Sequence, residues 1–228
     1  MKRTAPLIIV MALLGTSLHA QEDGYRLEAG IGGGGSFYMG DACNRLYNST
    51  NGAAAVMLRY NANPRLSARA TFSAAGISGN SLNAFGQLPI GDNLKFSRTA
   101  YELSVQVEWG FMAYSPVMRD EDRWAPYGLA GIGAVFLPEP ATNDRALCFP
   151  LGLGIRYRLA PRVSVGLEWS MRFTDSDRLD VTTPVQPGLQ DPMTIKGKGM
   201  KNKDSYSLTM LYISFDILEK GCNCNNGK

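Results

Sequence analysis

Few side chains in this 228-residue chain can do chemistry, and their types narrow the options quickly. The single histidine is His19, and it falls in a stretch that reads as a removable leader. Beyond it no imidazole remains, so Ser-His-Asp and Cys-His nucleophile systems, histidine bases and histidine-bound zinc drop out together. The four cysteines, Cys43, Cys148, Cys222 and Cys224, include no CxxC pair, which argues against a zinc ligand set. The run Gly32-Gly33-Gly34-Gly35 is followed by neither a Lys-Ser/Thr pair nor a helix start, so it is not a phosphate loop. In a strand, such glycines allow sharp curvature or close contact with a side chain opposite. No catalytic residue, cofactor or metal is expected, and the chain reads as non-enzymatic.

Before the remaining polar residues can be placed, the elements that carry them must be found. Residues 1–20 have a basic start at Lys2 and Arg3, an apolar run from Leu7 to Leu14, and a short polar stretch ending at Ala20. That order is a secretory signal peptide, although Leu18 departs from the commonest cleavage motif. The run is too short for a membrane-spanning helix, and no Cys follows it to carry a lipid. Removing Lys2 and Arg3 takes the basic count from 23 to 21 against 20 acids. The mature charge is then near +1, without the basic excess of a nucleic-acid binder.

From Gly24 onward the hydrophobic period is two. In Thr99 to Phe111, Tyr101, Leu103, Val105, Val107, Trp109 and Phe111 share one face, and Glu102, Ser104, Gln106 and Glu108 share the other. Alternation of this kind is the mark of a strand with one apolar and one polar side. It recurs around Leu27–Ile31, Val56–Tyr60, Leu66–Ser73, Leu151–Leu159 and Val163–Phe173. Tyr127–Leu137 is apolar on both faces, so its phase stays open. Tyr206–Leu218 starts with Tyr206, Leu208, Met210 and Tyr212 on one side and then turns apolar throughout. The reading is eight strands and no amphipathic helix.

The connections alternate in length. Those on one side fall at Ala62-Asn63-Pro64, roughly Met112 to Trp124, and Ala160-Pro161-Arg162, short except for the Met112–Trp124 turn, which is longer than the pattern expects. Long ones fall at roughly Asp41–Gly52, Gly76–Ser97, Pro138–Ala146 and Asp175–Asp204. Short periplasmic turns and long outer loops are the pattern of an outer-membrane barrel. The expectation is an all-β, eight-stranded antiparallel up-and-down transmembrane barrel over 21–218. A periplasmic tail follows over 219–228, and both termini lie in the periplasm. A soluble lipocalin-like barrel would share the alternation but turn its apolar face inward. Three features favour lipid: apolar faces about eleven residues long, small residues on the polar faces, and aromatics near strand ends. The last are Tyr25, Tyr101, Trp109, Phe111, Tyr127, Tyr157, Phe173 and Tyr206, positions suited to an interfacial girdle.

With lipid outside, the polar faces line the lumen. They place Arg26, Glu28, Arg59, Arg69, Glu102, Glu108, Arg156, Arg158, Glu168 and Arg172 inside. Lysine is absent from this set, and arginine forks suit bidentate pairing with carboxylates in tight space. Eight strands enclose little beyond side chains, so these ten residues read as a plug of ion pairs rather than a pore or proton path. Cys43 and Cys148 would share the outer rim, where a disulfide between loops one and three competes with free thiols. Cys222 and Cys224 stand in the tail, where partner disulfides compete with an inert extension.

Several segments resemble one family. Gly35-Ser-Phe-Tyr-Met-Gly-Asp41, Pro150-Leu-Gly-Leu-Gly-Ile-Arg-Tyr-Arg-Leu159, Glu168, Phe173-Thr-Asp175, Asp204-Ser-Tyr206 and the Cys-Asn-Cys tail are similar to small Bacteroidetes outer-membrane barrels that include PorG. The sequence departs from that pattern at Ser176-Asp177-Arg178-Leu179-Asp180, in place of a more regular Tyr/Leu/Asp run. The resemblance implies an accessory component of type IX protein secretion that contacts a periplasmic ring of lipoprotein and soluble subunits. The Met112–Trp124 turn and the Cys222–Cys224 tail are then the expected contacts. A surface adhesin or receptor acting through the outer loops, and a minor channel, remain the rival readings.

Overall fold

A computed structural model describes residues 27–39, 50–80, 95–112, 114, 123–138, 144–176 and 204–218. Eight strands follow one another: β1 Leu27–Met39, β2 Asn51–Asn61, β3 Leu66–Asn80, β4 Lys95–Gly110, β5 Trp124–Leu137, β6 Asp144–Ala160, β7 Val163–Thr174 and β8 Ser205–Leu218. Each pairs antiparallel with its chain neighbours, and β1 pairs with β8, closing an up-and-down barrel without a free edge. Residues 1–26, which include the stretch read as a leader over 1–20, and residues 219–228 lie outside the described residues.

Strand lengths explain the shape. The shortest strand has 11 residues and the longest 17, enough to cross a hydrocarbon layer at the tilt of a small barrel. At one end the connections are 62–65, 111–123 and 161–162, and at the other 40–50, 81–94, 138–143 and 175–204. We call these the short-turn and long-loop ends. The tightest turns have local causes. Asn63 Oδ1 accepts from the amides of Arg65 at 3.0 Å and Leu66 at 2.8 Å, an Asx-type turn with Pro64 setting the backbone. Two long-loop boundaries differ from the sequence reading. β3 and β4 run on to Asn80 and from Lys95, pairing across the stretch read as loop. β6 begins at Asp144 and pairs with Leu137. Small and polar residues there masked strands whose backbone bonds continue past the apolar alternation.

The faces are inverted relative to a soluble barrel. Leu103, Val105, Val107, Ile132, Leu151, Leu153, Leu167 and Leu211 are all more than half exposed, whereas Glu28, Arg69, Glu102, Glu108, Glu168 and Arg172 are buried. Aromatics border this apolar surface at both ends. Tyr60, Trp109, Phe111, Trp124 and Phe215 stand exposed near the short turns, and Tyr101, Phe136, Phe149 and Phe173 toward the long loops. Trp124 packs on Tyr157 with ring centroids 4.5 Å apart. Along β4 the span from Tyr101 to Phe111 corresponds to roughly 26 Å of height at a typical tilt. This is the outer-membrane type of eight-stranded barrel. Two aromatics of the expected girdle are not in it. Tyr127 and Tyr206 point inward and are buried, because the lumen at their level holds carboxylates that a phenol can reach. Tyr25 lies outside the described residues.

Candidate functional site

The interior is built in two layers, and the strand registers decide which residues meet. Around the short-turn half, antiparallel pairing sets Glu28 opposite Arg59 but also Arg59 opposite Arg69 and Glu28 opposite Asp216. Two like-charge neighbours would be destabilising by themselves. Side chains from across the barrel separate them. Glu108 accepts from Arg59 Nη2 at 3.1 Å and from Arg156 Nη2 at 2.9 Å, and it forms an ion pair with Arg69 Nη1 at 3.0 Å. Glu28 is held by Arg59 at 2.5 Å, Arg156 at 3.4 Å and Asn61 Nδ2 at 2.9 Å. Asp216 pairs with Arg158.

Above these, Arg69 Nη1 donates to Glu168 at 2.7 Å and Nη2 to its other oxygen at 3.1 Å, the bidentate geometry that arginine favours. Its Nε reaches Gln106 Oε1 at 3.1 Å. Tyr127 donates to Glu168 at 3.0 Å. Arg172 Nε donates to Glu102 at 3.0 Å, and Tyr206 donates to the same carboxylate oxygen at 2.6 Å. Among the described residues the network joins Arg59, Arg69, Arg156, Arg158 and Arg172 to Glu28, Glu102, Glu108, Glu168 and Asp216, five charges of each sign. Nine of the ten lumen charges read from the sequence are thus on the inner wall, and Arg26 lies outside the described residues. Asp216 was missed because the later half of β8 was read as apolar throughout, although Ser214 shares its inner face. Arg98 was missed because it falls between the loop read to Ser97 and the strand read from Thr99, yet it is buried and donates to the Leu137 carbonyl at 3.4 Å.

Inward glycines make room for the bulky partners. A Cβ on Gly154 would stand 2.4 Å from the Tyr127 ring, and one on Gly32 would stand 2.5 Å from Tyr212. The tetraglycine run therefore seats an aromatic ring, and it cradles no phosphate.

The long-loop half is mostly apolar. Tyr38, Ala55, Met57, Ala75, Ile77, Ala100, Val135, Leu137, Cys148, Tyr206, Leu208, Met210 and Tyr212 form one buried cluster. The cluster reaches the ionic layer at Met57 and Tyr212, which contact Arg59 and Arg69, and toward the long loops it is joined by buried Ser36, Arg98, Thr174 and Asp204. Cys148 belongs to this cluster, facing inward beside Gly133 rather than out at the rim. Cys43, Cys222 and Cys224 lie outside the described residues. At the long-loop rim Tyr38 donates to Asp204, whose carbonyl accepts from Thr174 Oγ1 at 2.6 Å.

Tyr114, on the connection between β4 and β5, turns back into the short-turn end. Its ring lies 4.6 Å from the guanidinium carbons of both Arg156 and Arg158, and its hydroxyl is 2.5 Å from Ser164 Oγ. Burial raises its phenol above the ordinary range, with the nearby Arg156 opposing that shift. This connection was read as a partner contact, and at Tyr114 it faces the barrel floor. Its residues 115–122 lie outside the described residues. No group of metal-ligating side chains occurs among the described residues.

Comparison with solved structures returns other small barrels. The N-terminal barrel domain of Pseudomonas aeruginosa OprF aligns over 85% of this chain and 100% of that domain, at 8% identity and TM-score 0.47. Ail of Yersinia pestis, the attachment invasion locus protein solved with the heparin analogue sucrose octasulfate, aligns over 83% and 97%, at 11% and 0.46. Neisserial surface protein A aligns over 84% and 97%, at 10% and 0.47. A search of curated proteins finds no match. Residues 3–226 match the model of a family described as a domain of unknown function, DUF6089, and since that match takes in nearly the whole sequence, the protein belongs to this family.

Proposed function

We propose that this chain is a sealed, non-catalytic barrel of the outer membrane that anchors a periplasmic assembly, with both termini on the periplasmic side. One observation carries the reading. An apolar belt bordered by aromatics surrounds a lumen whose charges are spent on one another. Lipid is the medium that tolerates such an exterior, and an eight-stranded lumen so filled has no room for transport. What remains for the molecule is to hold something at the membrane. The segments Gly35–Asp41 and Pro150–Leu159, together with the Cys-Asn-Cys tail, support a narrower assignment. They point to an accessory scaffold of type IX secretion that touches a periplasmic ring of lipoprotein and soluble subunits.

Crosslinking through Cys222 or Cys224 in whole cells tests this. The scaffold reading expects capture of a ring subunit, and co-purification of that subunit with the uncrosslinked barrel is lost when residues 219–228 are deleted. If deletion leaves all periplasmic contacts intact while binding maps to the long loops, the chain is an adhesin or receptor instead. Steady conductance in planar bilayers would make it a minor channel.

A further inference from the structure

Tyr114 stands out from the rest of the lumen because it comes from a connection rather than from the wall. The backbone around it is pinned to the neighbouring turn. The Gly110 amide donates to the Arg65 carbonyl at 2.6 Å, that of Phe111 to Pro126 at 2.9 Å, and that of Tyr114 to Pro64 at 3.0 Å. The side chain then enters the floor between two arginines. Arg156 and Arg158 are two residues apart on the inward face of β6 and carry the same charge. An aromatic face attracts a cation, so one ring presented to both guanidiniums quiets their repulsion. Arg156 is also tied to Glu28 and Glu108, and Arg158 to Asp216. The ring thus caps the lowest tier of the ionic layer. Its side chain is held by two cation–π contacts and one hydroxyl hydrogen bond to Ser164, and its amide by the Pro64 carbonyl, none of which belongs to a strand pairing.

We infer that Tyr114 is a releasable latch on the short-turn mouth of the lumen: seated, it keeps water from the ionic layer, and withdrawn, it admits water to that layer alone. The second half of the claim follows from the layering. Toward the long loops, at the opposite end of the barrel from Tyr114, the interior is filled by the apolar cluster containing Ile77, Leu137 and Cys148, together with buried Arg98 and Asp204. Opening the latch gives a blind vestibule, not a channel.

Thiol accessibility tests this on the full chain folded in lipid vesicles or micelles. One background replaces Cys43, Cys148, Cys222 and Cys224 by Ser and carries Ser214→Cys. Ser214 is buried in the ionic layer, with its hydroxyl 3.2 Å from Glu28. A second background keeps Cys148 alone, as a native thiol of the apolar layer. A small charged methanethiosulfonate is the probe. Tyr114→Ala is expected to speed labelling at position 214 by about tenfold or more, the size of one desolvated cation–π contact, and to leave Cys148 unchanged. Tyr114→Phe keeps the ring and should stay within about threefold of the parent. The latch is refuted if Tyr114→Ala leaves position 214 as slow as before. It is refuted equally if position 214 and Cys148 accelerate together, which is general loosening. Acceleration by Tyr114→Phe as large as by Tyr114→Ala would assign the seal to the hydroxyl and remove the arginine sandwich.

Discussion

Replacing Glu108 by Gln should be among the most damaging single changes in the barrel, although it alters one atom. The carboxylate touches Arg59, Arg69 and Arg156 at 2.8–3.0 Å and is buried with them. Glutamine keeps the shape and removes the charge, so the five arginines of the ion-pair network then face four of its carboxylates. Breaking a buried ion pair from one side costs about 3–5 kcal/mol, a large share of the 5–15 kcal/mol that typically holds a domain together. Arg59 and Arg69 would suffer most, because their register sets them side by side with Glu108 between them. Adding Arg59→Gln restores the charge balance. Arg69 keeps Glu168 and Gln106, and Glu28 keeps Arg156, Asn61 and Ser214. The double variant should therefore recover about 1–3 kcal/mol relative to the sum of the singles. The assay is urea unfolding of the barrel in bilayers, followed through Trp109, Trp124 and Trp169, all on the outer face. A loss below about 1 kcal/mol for Glu108→Gln, the range of a solvated surface pair, would refute the picture of a dry interlocked layer. Strict additivity in the double variant would refute it as well.

Other perturbations probe the faces and the packing. Val105→Arg, in the middle of the exposed β4 face, should destabilise the bilayer-inserted barrel by about 2–4 kcal/mol, and Trp109→Arg at the belt's edge by about 0–1 kcal/mol; equal costs in the same unfolding assay would mean that no lipid-facing belt exists. Within the tetraglycine run, Gly32→Ala must displace the Tyr212 ring, whereas a Cβ on Gly33 meets nothing within 4 Å. The first should cost about 1–3 kcal/mol and the second far less, read from the temperature at which the folded band disappears in heat-modifiability gels. Reversal of that order would move Gly32 off the inner face.

Legibility in the sequence followed the chemistry of the lumen. β4 was readable because its inner face meets the ionic layer, so Glu102, Ser104, Gln106 and Glu108 contrast with the leucine, valines and aromatics outside. β5 and β8 were readable as strands, with Tyr206, Leu208, Met210 and Tyr212 sharing one face, but the phase of β5 was not, because Val135 and Leu137 inside look like Ile132 and Phe136 outside. Tyr127 and Tyr206 deceived for the same reason. A tyrosine near a strand end suits an interface, but it also suits a buried carboxylate with a free lone pair. Asp216 and Arg98 needed the partner strands to be known, since each gains meaning only from Arg158 or from the Leu137 carbonyl. Tyr114 carried no signal at all, because nothing in a turn sequence says that one ring will fold under the barrel.

The seam between β1 and β8 has a bearing on how the molecule is made. Every other strand pairing joins chain neighbours, but this one must wait for the final strand. That strand also delivers Tyr206 to Glu102 and Asp216 to Arg158. A seven-stranded intermediate would present two open edges and a half-neutralised interior to lipid. Insertion and closure must therefore be nearly simultaneous, and a chain truncated before Ser205 should be found with the assembly machinery or its proteases rather than in the bilayer.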